Sequence, residues 1–519
     1  MSQLIYNVKK KEKYATSIFG IYVFCLSLSF IFLLICTKSS PLYPFNDWQD
    51  SNAYFTMGKG MMNGKVLYRD LFEQKGPYLY LIYAFAYLIS NTTFLGVFLF
   101  EVISFSFFLF YSHKIVSLFL DVKYSIISLP ILTTLILNLR NFTHGGSAEE
   151  FCLPLITISL YSLLNYFKNE YPHLVRNKYL FLNGIIAGCI LWLKFSMLGF
   201  WFGWMASMFV CMIVSKNYLR AIKGCLIFLF GMVLTTLPWI YYFWINNSIS
   251  TWLNTYIYIN IFYYPVNASL ISRMRYILIQ IVGNTGASNP IVGIIFLYGI
   301  ILFIIYGRFI KNALCRICLF SCILFLALGV YGGLRGYTYY FLIFSPFAIL
   351  GLITYLDFLR IKFDNEISLK ISIVTVIIFL AVALPLTLKF NHNVYLLKTN
   401  KENLVQYEFA SVINHTKNAK LLNYGNLDFG FYTSANIIPN VRFFANLNID
   451  YSKYPLIMDE QNRYIKDKLT DYIVIAVEPS VNSATLAIPY LYDNYNLIME
   501  KNQIYENNDY KYLLFKVMR

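Results

Sequence analysis

Between residues 15 and 390 the sequence offers one apolar run after another, each near the length of about 20 residues that an α-helix needs to cross a bilayer. Inside a membrane no water satisfies peptide groups, so such runs must form helices that bond their own backbone. Composition agrees: only 13% of the 519 residues are charged, where a soluble domain carries about 25%, and the mean hydropathy is +0.55. A net charge of +16 would suit a nucleic-acid partner in a soluble protein. Here the lysines and arginines sit mostly in short loops between apolar runs, which is an orientation signal instead.

That signal sets the threading. Lys9, Lys10, Lys11 and Lys13 precede the first run (15–36), which places residues 1–14 in the cytoplasm of a bacterial plasma-membrane protein. The run lacks a small-residue cleavage site and is expected to remain as an anchor. The decisive segment is 37–93, whose single apolar stretch, 77–90, is either a short crossing or a helix lying on the outer surface. As a crossing it would put the basic loops 168–178, 215–223, 307–316 and 357–370 outside, each with three Lys or Arg. As a surface helix it leaves all four inside. The second choice predicts a polytopic α-helical protein of about 11 transmembrane helices. The later spans are 94–112, 124–139, 151–167, 179–193, 196–214, 224–245, 289–307, 314–331, 338–356 and 369–390. Residues 391–519 then form a small extracytoplasmic α/β domain after the transmembrane domain 15–390. Helices are expected near 403–416 and 483–493, with strands at 421–424, 472–477 and 510–517. Seven of the nine cysteines lie inside apolar runs and read as small apolar filler.

Charge is costly against lipid, so the acids and bases expected at the outer surface are the candidates for chemistry. The first external loop carries Asp47, Asp50, Arg69, Asp70, Glu73 and Lys75; Glu149 and Glu150 stand just before a later span. Asp50 also stands where a helix N-cap would, and carboxylates are favoured at any helix N-terminus. In a shared cleft these acids could deprotonate a hydroxyl or hold a divalent metal, Mg or Mn, through Asp50 and Glu149. His144 could assist. Lys75, Lys194 and Arg335 are cations on the same side, suited to phosphate or to interfacial anchoring. Arg273 and Arg275 belong to the 246–288 loop.

The order of these elements resembles the GT-C superfamily. An acid shortly after the first span (Asp50), a tyrosine four residues on (Tyr54), Gly64 with Tyr68-Arg69-Asp70, and Lys75-Gly76-Pro77 before a surface helix are similar to the bacterial members related to protein O-mannosyltransferases and aminoarabinose transferases. Glu149 and Glu150 fall where that family places another carboxylate. Residues 335–351 resemble its late span, with Tyr339 where histidine is common. The resemblance implies an inverting glycosyltransferase that takes a sugar from a polyprenyl-phosphate donor. The acceptor would be a cell-envelope glycan, lipid or protein on the outer face. It casts Asp50 as base or metal-organising acid, assisted by Glu149 or Glu150. Lys75 would hold the donor phosphate, helped by Arg335 and Lys194, with Tyr54, Arg69, Asp70, Glu73 and His144 in support. Two other readings stand beside it. A surface-polysaccharide polymerase or ligase would rely on Arg273 and Arg275. A transporter or flippase would place Glu101 in a central pore.

Overall fold

The computed structural model describes residues 2–287, 293–363, 368–506 and 508–518. Among them, eight helices are long and apolar enough to cross a membrane by length and composition. They are 18–36, 95–119, 148–170, 177–214, 218–245, 313–331, 338–362 and 369–390. The protein is thus a polytopic helical membrane protein. Shorter apolar helices occur at Pro77–Ile89, Val122–Leu137 and Ile294–Ile305. The start of the expected 289–307 span lies outside the described residues.

We label the first helices α1 (Ser2–Cys36), α2 (Gln49–Met62), α3 (Pro77–Ile89), α4 (Leu95–Phe119), α5 (Val122–Leu137), α6 (Ala148–Asn165), α7 (Asn177–Lys194), α8 (Gly199–Val214) and α9 (Tyr218–Ile245). The long 177–214 segment breaks at Lys194, whose backbone is extended. There the Phe195 amide donates to the Tyr256 hydroxyl at 3.0 Å. The break leaves a lysine at the turn between α7 and α8.

Helix α3 opens with Pro77, whose fixed φ suits the first helical turn, and at 13 residues is about 20 Å long, well short of a hydrocarbon core. Helix α2 runs into Asn63 and stops at Gly64, whose φ of 79° only glycine adopts without strain. Residues 51–60 of α2 are all buried, unusual for a loop helix rich in Ser, Asn, Thr and Lys. The reason is that α2 is enclosed: α3 packs on one side and the C-terminal chain covers the other. Thr56 Oγ1 donates to Asp428 Oδ2 at 2.6 Å, and Lys59 Nζ donates to the Tyr432 carbonyl at 2.9 Å. Burial pushes Asp428 up to about 6 and Lys59 down to about 8. Two further bonds cross this contact: the Phe72 amide donates to the Arg442 carbonyl (2.9 Å), and Arg442 Nε donates to the Tyr68 carbonyl (3.1 Å).

Beyond residue 404 the chain builds a four-stranded sheet in the order β1-β2-β4-β3, with β1 (Leu421–Tyr424), β2 (Tyr472–Val477), β3 (Tyr495–Tyr505) and β4 (Asn508–Val517). The β1–β2 pair is parallel and the others antiparallel. Helices Val405–Ile413 and Leu456–Lys466 accompany it. The helix expected over 483–493 is absent: Pro489 and a left-handed Tyr490 (φ 62°) interrupt the apolar pattern, and only Leu491–Asn494 is helical. Strand β3 and the 456–466 helix were not among the sequence expectations. Strand β3 alternates exposed and half-buried residues, a pattern with little apolar signal.

Candidate functional site

Asp50 lies in the first turn of α2, but it is not the cap. Trp48 holds the N-cap position without a side-chain bond, and Asp50 Oδ2 instead accepts the hydroxyls of Tyr54 (3.3 Å) and Tyr339 (3.0 Å). Tyr339, which stands where the resembling family commonly has histidine, therefore touches Asp50.

Lys75 reaches the same place by a tight turn. Gly76 donates its amide to the Leu193 carbonyl at 3.1 Å, and a Cβ at Gly76 would come within 2.0 Å of the Trp192 carbonyl oxygen. Only glycine permits this approach, which sets Lys75 beside Lys194 at the end of α7. The left-handed Tyr68 (φ 64°) donates its hydroxyl to the Lys75 carbonyl at 2.7 Å. Glu73 accepts the Lys75 amide at 2.8 Å and the Tyr80 hydroxyl, and lies 3.9 Å from Lys75 Nζ. Burial disfavours the Lys75 charge, but Glu73, Asp50 and Glu149 outweigh it and hold its pKa above the ordinary lysine value.

The two adjacent glutamates diverge. Ser147 caps α6 by accepting the Glu150 amide at 3.1 Å, and from that first turn Glu149 pairs with Lys194. Lys194 Nζ also lies 3.6 Å from the centre of the Tyr340 ring, a cation–π contact. Glu150 turns the other way, accepts the Gly146 amide at 2.7 Å, and lies against Glu101. Glu101 is fully buried and accepts the Thr37 hydroxyl at 2.9 Å. Glu101 is thus packed behind α6 rather than facing a pore, and Glu150 faces away from Lys75. Arg69 and Asp70 form an exposed clasp at 2.8 Å with Arg69 bonded to the Asn246 carbonyl, so they brace the loop rather than join the site.

Lys75, Lys194, Arg273 and Arg335 line one cavity of about 290 Å³, together with Tyr340 and Asn260. Arg335 follows the left-handed Leu334 (φ 56°), donates to the Tyr264 carbonyl at 3.1 Å and stacks over the Tyr264 ring. Arg273, which the sequence places in the 246–288 loop among the cations of the outer face, has its guanidinium held by the Gly332 and Ala268 carbonyls at the cavity rim. Four cations thus surround one small cavity, and Asp50 lies close enough to act on the charge of Lys75.

Asp50 and Glu149 do not form a metal-binding set. Glu149 is engaged by Lys194 and Asp50 by two tyrosines, and among the described residues no cluster of three His, Cys, Asp or Glu could hold an ion. No step is assigned to a metal.

On the far side of Trp48, His144 stacks on the indole at 4.8 Å and meets Tyr339 edge-on at 5.9 Å. Burial, reinforced by Lys38, holds its pKa well below the ordinary value, so the ring stays neutral. Asp47 is taken up by Lys38 at 2.7 Å and by the Tyr395 hydroxyl.

Residues 9–368 match the family described as the putative competence-induced protein Ccs4 N-terminal domain. The chain belongs to this family. In this Ccs4-family chain the matched span carries Asp50, Lys75, Glu149, Lys194 and Arg335, while the sheet lies beyond it. No curated protein matches the sequence. Among solved structures, the fold is similar to that of ArnT from Cupriavidus metallidurans, crystallised bound to undecaprenyl phosphate. The TM-score is 0.57 at 12% identity, covering 96% of this chain and 98% of that one. At that identity the likeness is one of architecture, and the Ccs4-family chain has a GT-C-like fold.

Proposed function

We propose that the protein is a membrane glycosyltransferase that moves a sugar from a polyprenyl-phosphate donor to an acceptor on the outer face of the membrane. The observation that carries this is the set of four cations, Lys75, Lys194, Arg273 and Arg335, around one cavity, with Asp50 near enough to act on Lys75. A phosphate leaving group needs such preorganised positive charge where its own charge develops. In the step we assign, Asp50 takes the proton of an acceptor hydroxyl. The oxygen forms its bond to the anomeric carbon, and the bond from that carbon to the phosphate oxygen breaks. The phosphate keeps the electron pair and is held by Lys75, Lys194 and Arg335. Attack opposite the leaving group inverts the anomeric carbon. Tyr54 and Tyr339 hold Asp50 in place. Glu149 keeps Lys194 in position.

The threading that goes with this reading has eleven spans, with residues 1–14 cytoplasmic and 391–519 outside. The 177–214 segment divides at Lys194 and 122–137 is the longest of the shorter apolar helices, which supports it; the expected 289–307 crossing is described only from residue 293, and α3 is kept at the surface because a crossing there would move the four basic loops outside. The likeness to an undecaprenyl-phosphate-bound ArnT supports the donor class.

The test is mass analysis of cell-envelope glycans from cells with the protein, without it, and with Asp50→Asn. The expected result is a glycan species that disappears in both of the latter. A species that persists with Asp50→Asn at normal protein abundance would overturn the assignment.

A further inference from the structure

A second cavity, of about 550 Å³, opens on the other side of the Trp48–Tyr339 wall. Its volume falls in the range of about 300–1,000 Å³ usual for small-molecule sites. Every described side chain that lines it is polar, among them Lys38, Arg140, His144, His392, Tyr395 and Glu506. Two other cavities, of about 470 and 620 Å³, are lined almost wholly by apolar residues of the helices. The polar one is therefore not a gap between lipid-facing helices.

Its floor is fixed by hydrogen bonds among three distant segments. The Lys38 amide donates to the His144 carbonyl at 3.2 Å, and Asn393 Nδ2 donates to the Cys36 and Thr143 carbonyls at 2.6 and 2.8 Å. Its roof is Glu506, at the turn between β3 and β4, 3.2 Å from Lys38 and 3.5 Å from His144 Nδ1. That ring nitrogen has no hydrogen-bond partner. Arg140 and His392 are exposed at the mouth.

The geometry points to this cavity as the acceptor site, and to a hydroxyl-rich glycan as the acceptor that it takes. The inference rests on the transferase reading and deepens it. A sugar hydroxyl both donates and accepts, and the walls offer both: Arg140 and Lys38 donate, and Glu506 and the Thr143 and Thr338 hydroxyls accept. Charge is nearly balanced, because Lys38 is already matched by Asp47 and Glu506. An apolar lipid tail or a hydrophobic peptide segment would leave these groups desolvated without partners, at a cost that a glycan avoids. Position completes the case. The Tyr339 ring faces His144 on this side, and its hydroxyl bonds Asp50, whose opposite flank faces the cations. The acceptor hydroxyl, deprotonated by Asp50, attacks the anomeric carbon on the face opposite the phosphate, so donor and acceptor need separate pockets that both reach Asp50, and Tyr339 links this cavity to it. The C-terminal chain, through Glu506, helps to choose the acceptor.

Two variants at the mouth test this without touching the groups around Asp50. His392→Trp fills the cavity and Arg140→Ala removes a donor while leaving more space. Envelope glycans are measured by mass from cells carrying each variant, and undecaprenyl phosphate binding is measured on each purified protein. The expected result is a fall of about tenfold or more in the glycan product with His392→Trp, a smaller fall with Arg140→Ala, and unchanged undecaprenyl phosphate binding. Wild-type product from both variants, with none from Asp50→Asn, would overturn the acceptor site and leave the transferase reading intact. Wild-type product from Asp50→Asn as well would overturn the transferase reading itself. Loss of undecaprenyl phosphate binding in Arg140→Ala would also overturn the inference, because the cavity would then belong to the donor.

Discussion

Tyr339 donates its hydroxyl to Asp50 Oδ2 across 3.0 Å, joining two positions 289 residues apart in sequence. With the Tyr54 hydroxyl at 3.3 Å on the same oxygen, the bond fixes the carboxylate. Hydrogen bonds to a charged group contribute about 1.5–3 kcal/mol. Tyr339→Phe is expected to lower kcat by about tenfold to a hundredfold and leave donor KM unchanged. A kcat equal to wild type would show that Tyr339 only packs.

Lys75→Ala is expected to weaken donor binding by about tenfold to a hundredfold, the loss of one charge-assisted bond to phosphate. Lys75→Arg is expected to recover part of it, because a planar fork does not replace a compact ammonium in a fixed turn. Undecaprenyl phosphate titration of the purified variants at matched folded concentration checks both. Unchanged affinity in Lys75→Ala would remove Lys75 from the site.

Glu149→Gln leaves the Lys194 ammonium buried without its counter-charge. Breaking a buried pair in this way costs about 3–5 kcal/mol, whereas replacing both partners by apolar groups costs much less. A clear fall in the Tm of Glu149→Gln is expected in detergent, and a smaller one in the double variant Glu149→Leu with Lys194→Met. The double variant is also expected to lose donor binding. Equal Tm values for wild type and Glu149→Gln would show that the pair is not coupled.

Glu506 is pushed up to about 7 by burial, with Asp47 and Asp50 adding to the rise and Lys38 opposing it; the neighbouring His144 is neutral. A carboxyl raised in the folded state favours folding below its unfolded value of about 4.5, and that contribution is lost as pH rises through about 7. Relative to Glu506→Gln, the wild-type protein is therefore expected to lose stability between about pH 4.5 and 7. Thermal unfolding of both proteins across this window checks it. Parallel pH profiles would show that Glu506 titrates normally.

For the threading, cysteines introduced at Asp509 and Lys178, both exposed, are expected to differ toward an impermeant maleimide on intact cells. Position 509 should react and position 178 should not. The reverse pattern would overturn the orientation.

The spans, the short α3 and the crowding of charge in the first loop were legible because each depends on local composition: twenty apolar residues in succession have few stable alternatives to a membrane helix. Asp50 and Lys75 stood out for a related reason, since charge is scarce in this chain and costly near lipid. What sequence could not show was which of several neighbouring charges meet. Glu149 and Glu150 are adjacent in the chain, yet a helix turns successive side chains about 100° apart, and packing sent one to Lys194 and the other to Glu101. Arg69 faces solvent and Arg273 a cavity rim for the same reason. The part of Glu506 lay furthest from view. It sits in a hairpin turn more than four hundred residues from Lys38, and only the docking of the C-terminal sheet onto α2 and the first loop brings their charges within 3.2 Å.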